Sequence, residues 1–414
     1  MKKSHKQALT LILALIMLFA TSLSSVTAVG ADTPITASIS LQSMPPNGTT
    51  STIADVFPDP GLASAVAEDL GKSVNSVVSA SELEGITDLW ATNRNIVSID
   101  GVQYLTGLQE LEFQLNQISD ISPLARLTGL GELYLGSNQI SDITPLAGLT
   151  DLQVLALGYN QISDITPLVG LTDLWLLVLF NNQISDISPL AGLTNLGLLY
   201  LEHNQISDIS PLAGLTGLQV LSLDGNQISD ISPLAGLTIL GMLYLDNNQI
   251  SDISPIAGLT YLWSLYLSDQ SITLDDTAIN THTALTVIST DGKPVEFQFL
   301  FNNGTYENGM LTWTQTGNNL AYWSATVTIG IATADFSGIV SQYAAEHISE
   351  IVTVGHILSV RDHILGKTPL SANERAMMDV NKDGIINIFD VLVMRDWILR
   401  RRINAELRMQ NAEL

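Results

Sequence analysis

Twelve residues near the end of the chain carry the clearest chemical pattern in the sequence. Asp379, Asn381, Asp383, Asn387 and Asp390 put oxygen-bearing side chains at positions 1, 3, 5, 9 and 12 of a loop; Gly384 stands at the sharp turn and Ile385 can offer its carbonyl at position 7. Calcium takes about six to eight oxygens, which this spacing wraps around one ion. Asp in place of Glu at position 12 shortens the reach. Shifting by 34 residues matches Ile351, Leu358, Arg361, Asp362, Ile364 and Leu365 to Ile385, Leu392, Arg395, Asp396, Ile398 and Leu399. The ligand slots of that earlier copy fall on Ala345, His347, Ser349, Thr353 and His356, so one calcium ion is expected, not two. His347, His356 and His363 read as surface or packed residues rather than a transition-metal site.

A second pair of groups invites a catalytic reading. Glu110 and Glu132 share a repeat phase, so adjacent strands would hold them about 4.8 Å apart, near the carboxylate separation of retaining glycosidases. Any like pair in one column has that spacing, however, and an open face does not exclude water. No Ser-His-Asp order, G-x-S-x-G elbow or H-E-x-x-H motif is present, and with no cysteine there is no thiolate chemistry and no disulfide. The expectation is a non-catalytic protein.

The elements that position these groups come from internal repetition. Asn116, Asn138, Asn160, Asn182, Asn204, Asn226 and Asn248 recur every 22 residues, each opening N-Q-I-S-D-I, with Gln270 in the eighth slot and Arg94 in the slot before the first. One unit supplies Leu133, Leu135, Ile140, Ile143, Leu146, Leu149 and Leu152 as its apolar set. The L-x-L part alternates as a short strand does. Ser122-Pro123 and its equivalents place a capping hydroxyl before Pro at a short helical turn. This is a leucine-rich repeat of about eight to nine coils. A single coil buries too little to offset its chain entropy, so the coils must stack. The Asn column reads as a bridge between backbone groups of neighbouring turns, and the Asp column, Asp120 to Asp252, as structural or solvating.

The rest of the chain divides by composition. Met1 to Lys6 is basic and Leu9 to Ala20 apolar, so residues 1–31 read as a secretory signal peptide; 32–55 form a flexible Ser/Thr/Pro-rich leader. Residues 56–86 should cap the array with helix over Gly61–Gly71, continuing from Val74 to Leu83. The repeats fill 87–270. Residues 271–341 lose the period and read as a small β-sandwich, 342–402 hold the loop-helix unit, and 403–414 are a polar tail. Net charge is −25, and residues 32–350 carry 4 basic against 33 acidic side chains. Such a body repels phosphate backbones and anionic lipid, so no nucleic-acid partner and no membrane insertion are expected.

The string F-P-D-P-G-L-A-S-A-V-A at 57–67, I-T-D-L at 86–89, I-D-G-V-Q-Y-L-T-G-L at 99–108 and seven N-Q-I-S-D-I-[ST]-P repeats resemble the internalin family of secreted bacterial leucine-rich-repeat proteins. Asn302 to Tyr306, Leu311-Thr312-Trp313 and Phe336-Ser337-Gly338 resemble the immunoglobulin-like module that follows the repeats there. The C-terminal loop-helix pair resembles a dockerin, which implies a cohesin domain of a scaffolding protein as partner, Ile388, Phe389 and Arg395 as contacts to it, and a polysaccharide-degrading complex as context. The degenerate first half departs from that pattern and puts two-way docking in doubt.

In a leucine-rich horseshoe the residues flanking the L-x-L leucines point to the concave face. Read from the period, that face carries Glu110, Glu112, Glu132, Tyr134, Tyr159, Trp175, Phe180, Tyr200, Glu202, Asp224, Tyr244, Asp246, Trp263 and Tyr266. Aromatic side chains on a rigid scaffold are the usual anchors of protein recognition. The expected function is therefore that of an extracellular protein, a monomer before docking, whose concave face holds a protein or glycan and whose calcium-bearing dockerin seats on cohesin. An internalin-like adhesin for a cell-surface protein is the alternative, and a glycoside hydrolase the second alternative. The plug standing where a sorting motif would be favours docking over adhesion.

Overall fold

The computed structural model describes residues 51–345, apart from 275–276, 279–281, 286, 296, 301–303, 308–309, 316 and 330. The expected signal peptide, the calcium loop with Asp379, Asn381, Asp383, Ile385, Asn387 and Asp390, and the cohesin contacts Ile388, Phe389 and Arg395 lie outside the described residues.

Three short helices precede the repeats: α1 (Ile53–Val56), α2 (Pro60–Asp69) and α3 (Ala80–Glu84). Thr52 with Asp55, and Ser79 with Glu82, form reciprocal capping boxes at α1 and α3. Asp59 caps α2 with one oxygen, which accepts from Gly61 N at 2.9 Å and Leu62 N at 3.1 Å; its other oxygen accepts from Val97 N at 2.9 Å. One carboxylate thus fixes both the helix start and its seat on the first coil. Arg94 clamps Glu68 of α2 through two bonds of 2.8 and 2.7 Å, and the guanidinium holds the Glu68 carboxyl below its usual range. Helix was expected from Val74, but residues 74–75 form a turn, Val77 is bridged to Thr52, and the helix begins only at Ala80. The Ser79 cap delays the helix to Ala80.

Nine three-residue or longer strands then pair in parallel, each displaced 22 residues from the last: β1 (Asp88–Trp90), β2 (Glu110–Glu112), β3 (Glu132–Tyr134), β4 (Val154–Ala156), β5 (Leu176–Val178), β6 (Leu198–Tyr200), β7 (Val220–Ser222), β8 (Met242–Tyr244) and β9 (Ser264–Thr273). The central leucine of each strand points inward and is buried. The Asn column binds coil to coil as expected. Asn182 Oδ1 accepts from Ile162 N at 3.0 Å, while its Nδ2 donates to Leu157 O at 3.1 Å and Leu179 O at 3.0 Å. Gln270 does the same in the last coil, accepting from Ile250 N at 3.0 Å and donating to Leu245 O at 2.9 Å.

The capping of the short 3-10 turns departs from the sequence reading. Ser122 is the first residue of its turn, and no side chain bonds from the cap position, Ile121. Asp120 Oδ1 instead accepts from Ser122 N at 2.8 Å, and the Asp of each later repeat through Asp252 does likewise. The Asp column therefore shapes the turn that the hydroxyl was expected to cap.

Beyond the ladder the chain forms β10 (Thr277–Ala278), β11 (His282–Ala284), β12 (Phe297–Leu300), β13 (Thr305–Glu307), β14 (Met310–Thr312), β15 (Gly317–Ile329) and β16 (Ala332–Ala345). β16 pairs in parallel with β9, so the sheet order β9-β16-β15-β12 prolongs the solenoid ladder; β11-β14-β13 make a second sheet. On the opposite side of the last coil, Ile288 N donates to Ser251 O at 2.7 Å and Ile288 O accepts from Ile253 N at 3.1 Å. The downstream segment is thus bonded to the last coil at two places, along β9 and at Ser251–Ile253.

Candidate functional site

Because alternate residues of a strand face opposite ways, the two residues flanking each central leucine form columns on the ladder's open side. One column runs Asp88, Glu110, Glu132, Val154, Leu176, Leu198, Val220, Met242, Ser264; its neighbour runs Trp90, Glu112, Tyr134, Ala156, Val178, Tyr200, Ser222, Tyr244, Tyr266. These columns divide into three sectors.

The first sector is acidic. Trp90 Nε1 donates to Glu110 Oε1 at 3.3 Å, and Tyr134 OH donates to Glu132 Oε2 at 2.7 Å. Burial, reinforced by the charge of Glu110, pushes the Glu112 carboxyl up to about 7, and burial with the charge of Glu132 raises Glu110. Trp90 is 64% exposed. The column was read from Glu110 onward, and Trp90 escaped that reading although it stands one period before Glu112.

The middle sector is closed. Val154, Leu176, Val178 and Leu198 are buried against one another. Trp175 and Phe180 are half-buried because each lies over a glycine of an adjoining coil. A Cβ added to Gly197 would stand 2.5 Å from Trp175 Nε1, and one on Gly158 would stand 2.8 Å from the Phe180 ring. Phe180 meets Tyr159 edge-on, with centroids 5.1 Å apart.

The third sector combines aromatics with carboxylates. Tyr244 and Tyr266 stack with centroids 4.8 Å apart and planes 9° from parallel. Trp263 sits over Gly241 and remains 51% exposed, while Tyr266 is 47% exposed. Asp224 Oδ1 accepts from Asp246 N at 2.9 Å, and Asp246 Oδ1 from Ser268 N at 2.5 Å, so each carboxylate holds the next coil's backbone. Glu202 bonds the Ser222 hydroxyl, but its Oε2 is buried without a hydrogen-bond partner. Burial pushes Glu202 up to about 7; burial, then the charges of Asp246 and Glu202, push Asp224 up to about 8; Asp246 is raised chiefly by burial.

Two residues expected on the exposed face are not available there. Tyr134 is 4% and Tyr200 7% exposed. Alternation gives the direction of a side chain, whereas depth depends on neighbours one period away. Tyr134 is roofed by the acidic rungs and Tyr200 by the coils on either side. Conversely, Tyr261 at 66%, with Ile239 in the same position of the preceding coil, is an exposed apolar group that the L-x-L reading passed over. Among the described residues, no group of three or more His, Asp or Glu is placed to hold a metal ion, and no helix is long and apolar enough to cross a membrane.

Comparison with known proteins places this geometry. Residues 106–148, 128–170, 176–214 and 194–236 match the family described as Leucine Rich repeats (2 copies); 38–84 match Bacterial adhesion/invasion protein N terminal; 292–343 match LRR adjacent. Internalin C of Listeria monocytogenes is 51% identical over 55 residues, 13% of this chain and 18% of that protein. Internalin H of the same species is 47% identical over 51 residues, 12% and 9%. The matches therefore span less than a fifth of the curated relatives' length. The crystal structure of internalin C2 from L. monocytogenes is 46% identical, covering 53% of this chain and 97% of that one, with a TM-score of 0.52. That of a second L. monocytogenes internalin, inlF, is 39% identical, covering 56% and 75%, with a TM-score of 0.51. Spanning 97% of internalin C2 at 46% identity, the chain belongs to the internalin-like leucine-rich-repeat proteins.

Proposed function

We propose that this chain is an exported, non-catalytic bacterial binding protein of adhesin type, which uses the open face of its ladder to hold a protein on a foreign cell surface. The observation that carries this reading is the pair of exposed aromatic sectors, Trp90 at one end and Trp263 with Tyr266 at the other, on a frame locked by the Asn column. Rigid aromatics lose little freedom on binding. The match of residues 38–84 to a bacterial adhesion/invasion family supports it. An immunoglobulin-like module over 271–341 fits the same reading, with β16 fastening it to the last coil.

The test is binding of labelled full-length protein to cultured animal cells. Saturable binding that falls at least tenfold in Trp263→Ala/Tyr266→Ala and is unchanged by chelator is expected; binding indifferent to those substitutions would overturn the reading.

For the tail we propose one calcium ion on Asp379, Asn381, Asp383, Ile385, Asn387 and Asp390, and a dockerin-like unit that seats on cohesin through Ile388, Phe389 and Arg395. The twelve-residue loop alone supports this. Calorimetry should give one calcium per chain, lost in Asp379→Ala/Asp390→Ala, and purified cohesins should bind only with calcium. Two ions, or uptake that survives the double substitution, would overturn it.

A further inference from the structure

The third sector of the open face holds negative charge with no base to balance it. Glu202, Asp224 and Asp246 occupy one position in consecutive coils, and from residue 127 to 292 the chain has neither Lys nor Arg. His203 is no counter-charge: its ring lies over Gly225, and burial disfavours its charged form. One oxygen of each Asp is committed to the next coil's backbone, while Glu202 Oε2 is buried and unpartnered. Carboxyls driven toward protonation by burial and mutual repulsion mark a place where a positive group would be stabilised. The rings beside them favour the same charge. Tyr244 lies close enough to sense both Asp224 and Glu202, and it stacks on the half-exposed Tyr266; aromatic faces attract cations.

We infer that Glu202, Asp224 and the stacked Tyr244–Tyr266 pair form a receptor for an arginine side chain presented by a protein partner. This rests on the open face being the binding surface and adds the chemistry of what it binds. A guanidinium supplies several donors in one plane and stacks on rings, which suits carboxylates set beside a stacked tyrosine pair. A calcium ion needs about six or more oxygens, and this sector assembles no such set: Asp224 and Asp246 each have one oxygen bonded to backbone, and no metal-holding group occurs among the described residues.

The probe is a blocked nonapeptide of alternating Gly and Arg, compared with its citrulline twin, titrated into the full-length protein at pH 8.5 and physiological salt. The Arg peptide should bind at least tenfold more tightly than the citrulline peptide. Glu202→Gln/Asp224→Asn should weaken it at least fivefold, whereas Glu110→Gln/Glu112→Gln at the other end should not. Both amide pairs keep side-chain shape, and thermal melting confirms their folding. Equal loss from either pair would show diffuse attraction to an acidic protein and overturn the inference. So would equal binding of the citrulline peptide, or calcium chloride alone competing through Glu202. If cell binding falls in Trp263→Ala/Tyr266→Ala but not in Glu202→Gln/Asp224→Asn, the face remains the binding surface and only the arginine receptor is lost.

Discussion

The inner and outer sides of the same ladder follow opposite rules. Inside, the turn position repeats Asn seven times and each copy makes the same bonds to the same two coils; even Gln270 reproduces them with a longer side chain. Outside, the two columns change from acid to aliphatic to aromatic within nine strands. The inner position must satisfy backbone groups that recur identically, so it takes a carboxamide, Asn or Gln, in every one of these coils. The outer position is constrained mainly by its neighbours' size. Repetition therefore marks the frame, and its breakdown marks where a ligand can be distinguished.

Breaking the inner rule should have the largest effect. In Asn182→Ala the Ile162 N–H loses its acceptor in a buried site, whereas Leu157 O and Leu179 O keep donors from Asn160 and Asn204. One orphaned buried donor and three lost bonds should cost about 2–4 kcal/mol. Because the coils stack one upon another, a mid-array lesion should also lower the cooperativity of urea unfolding, seen as a smaller m-value. The matched outer substitution, Tyr266→Ala, should change stability by about 1 kcal/mol or less, given its exposure.

Where the outer columns do depend on neighbours, the coupling is steric. Gly197→Ala places a methyl 2.5 Å from Trp175 Nε1 and must swing that ring out of its seat. A loss of about 1–2 kcal/mol is expected, with a red shift of tryptophan emission as the indole meets water. Unchanged emission would mean that the backbone, rather than Trp175, had moved.

This contrast also explains how much was legible beforehand. The coil length, the strand positions and the role of Asn182 and its equivalents follow from a period that sequence displays directly. The Asp120 column was assigned to the structure, but not to its turn, because Asp and Ser stand two residues apart and either can bond the backbone there. Asp59 gave no local signal for its second task, since Val97 and Ser98 lie 38 and 39 residues away. On the open face, direction was readable and depth was not. Tyr134 and Tyr200 are buried and Tyr266 is half-exposed, although all three sit in one column.

The outer face should also make stability depend on pH. Glu112 and Glu202 are pushed up to about 7 and Asp224 to about 8, against ordinary carboxyl values near 4 in the unfolded chain. Between those limits the folded state holds more protons than the unfolded, so stability falls as pH rises through roughly 4 to 8. The melting temperature should be higher at pH 5.5 than at pH 8.5, and Glu112→Gln/Glu202→Gln/Asp224→Asn should flatten that slope. A melting temperature that rises with pH across this window would refute the assignment of buried acids to the face.

The smallest effect lies at the turn between the two sides, where frame and face compete for one residue. Asn93, Asn181 and Asn247 take positive φ there, as does Gly225 at 63°, but Leu115, Tyr159 and His203 are forced into the same conformation at 57°, 56° and 56°. A left-handed backbone costs most L residues about 1–2 kcal/mol, and Asn less. Leu115 is 43% exposed and returns little by packing, so Leu115→Asn should stabilise the protein by about 0.5–1 kcal/mol in urea titrations. Tyr159→Asn relieves the same strain but forfeits the edge contact with Phe180, and its gain should be smaller or absent. If both substitutions stabilise equally, the Tyr159–Phe180 contact contributes nothing to the closed middle of the face, and the division between repeated frame and variable surface would then extend through the turn itself.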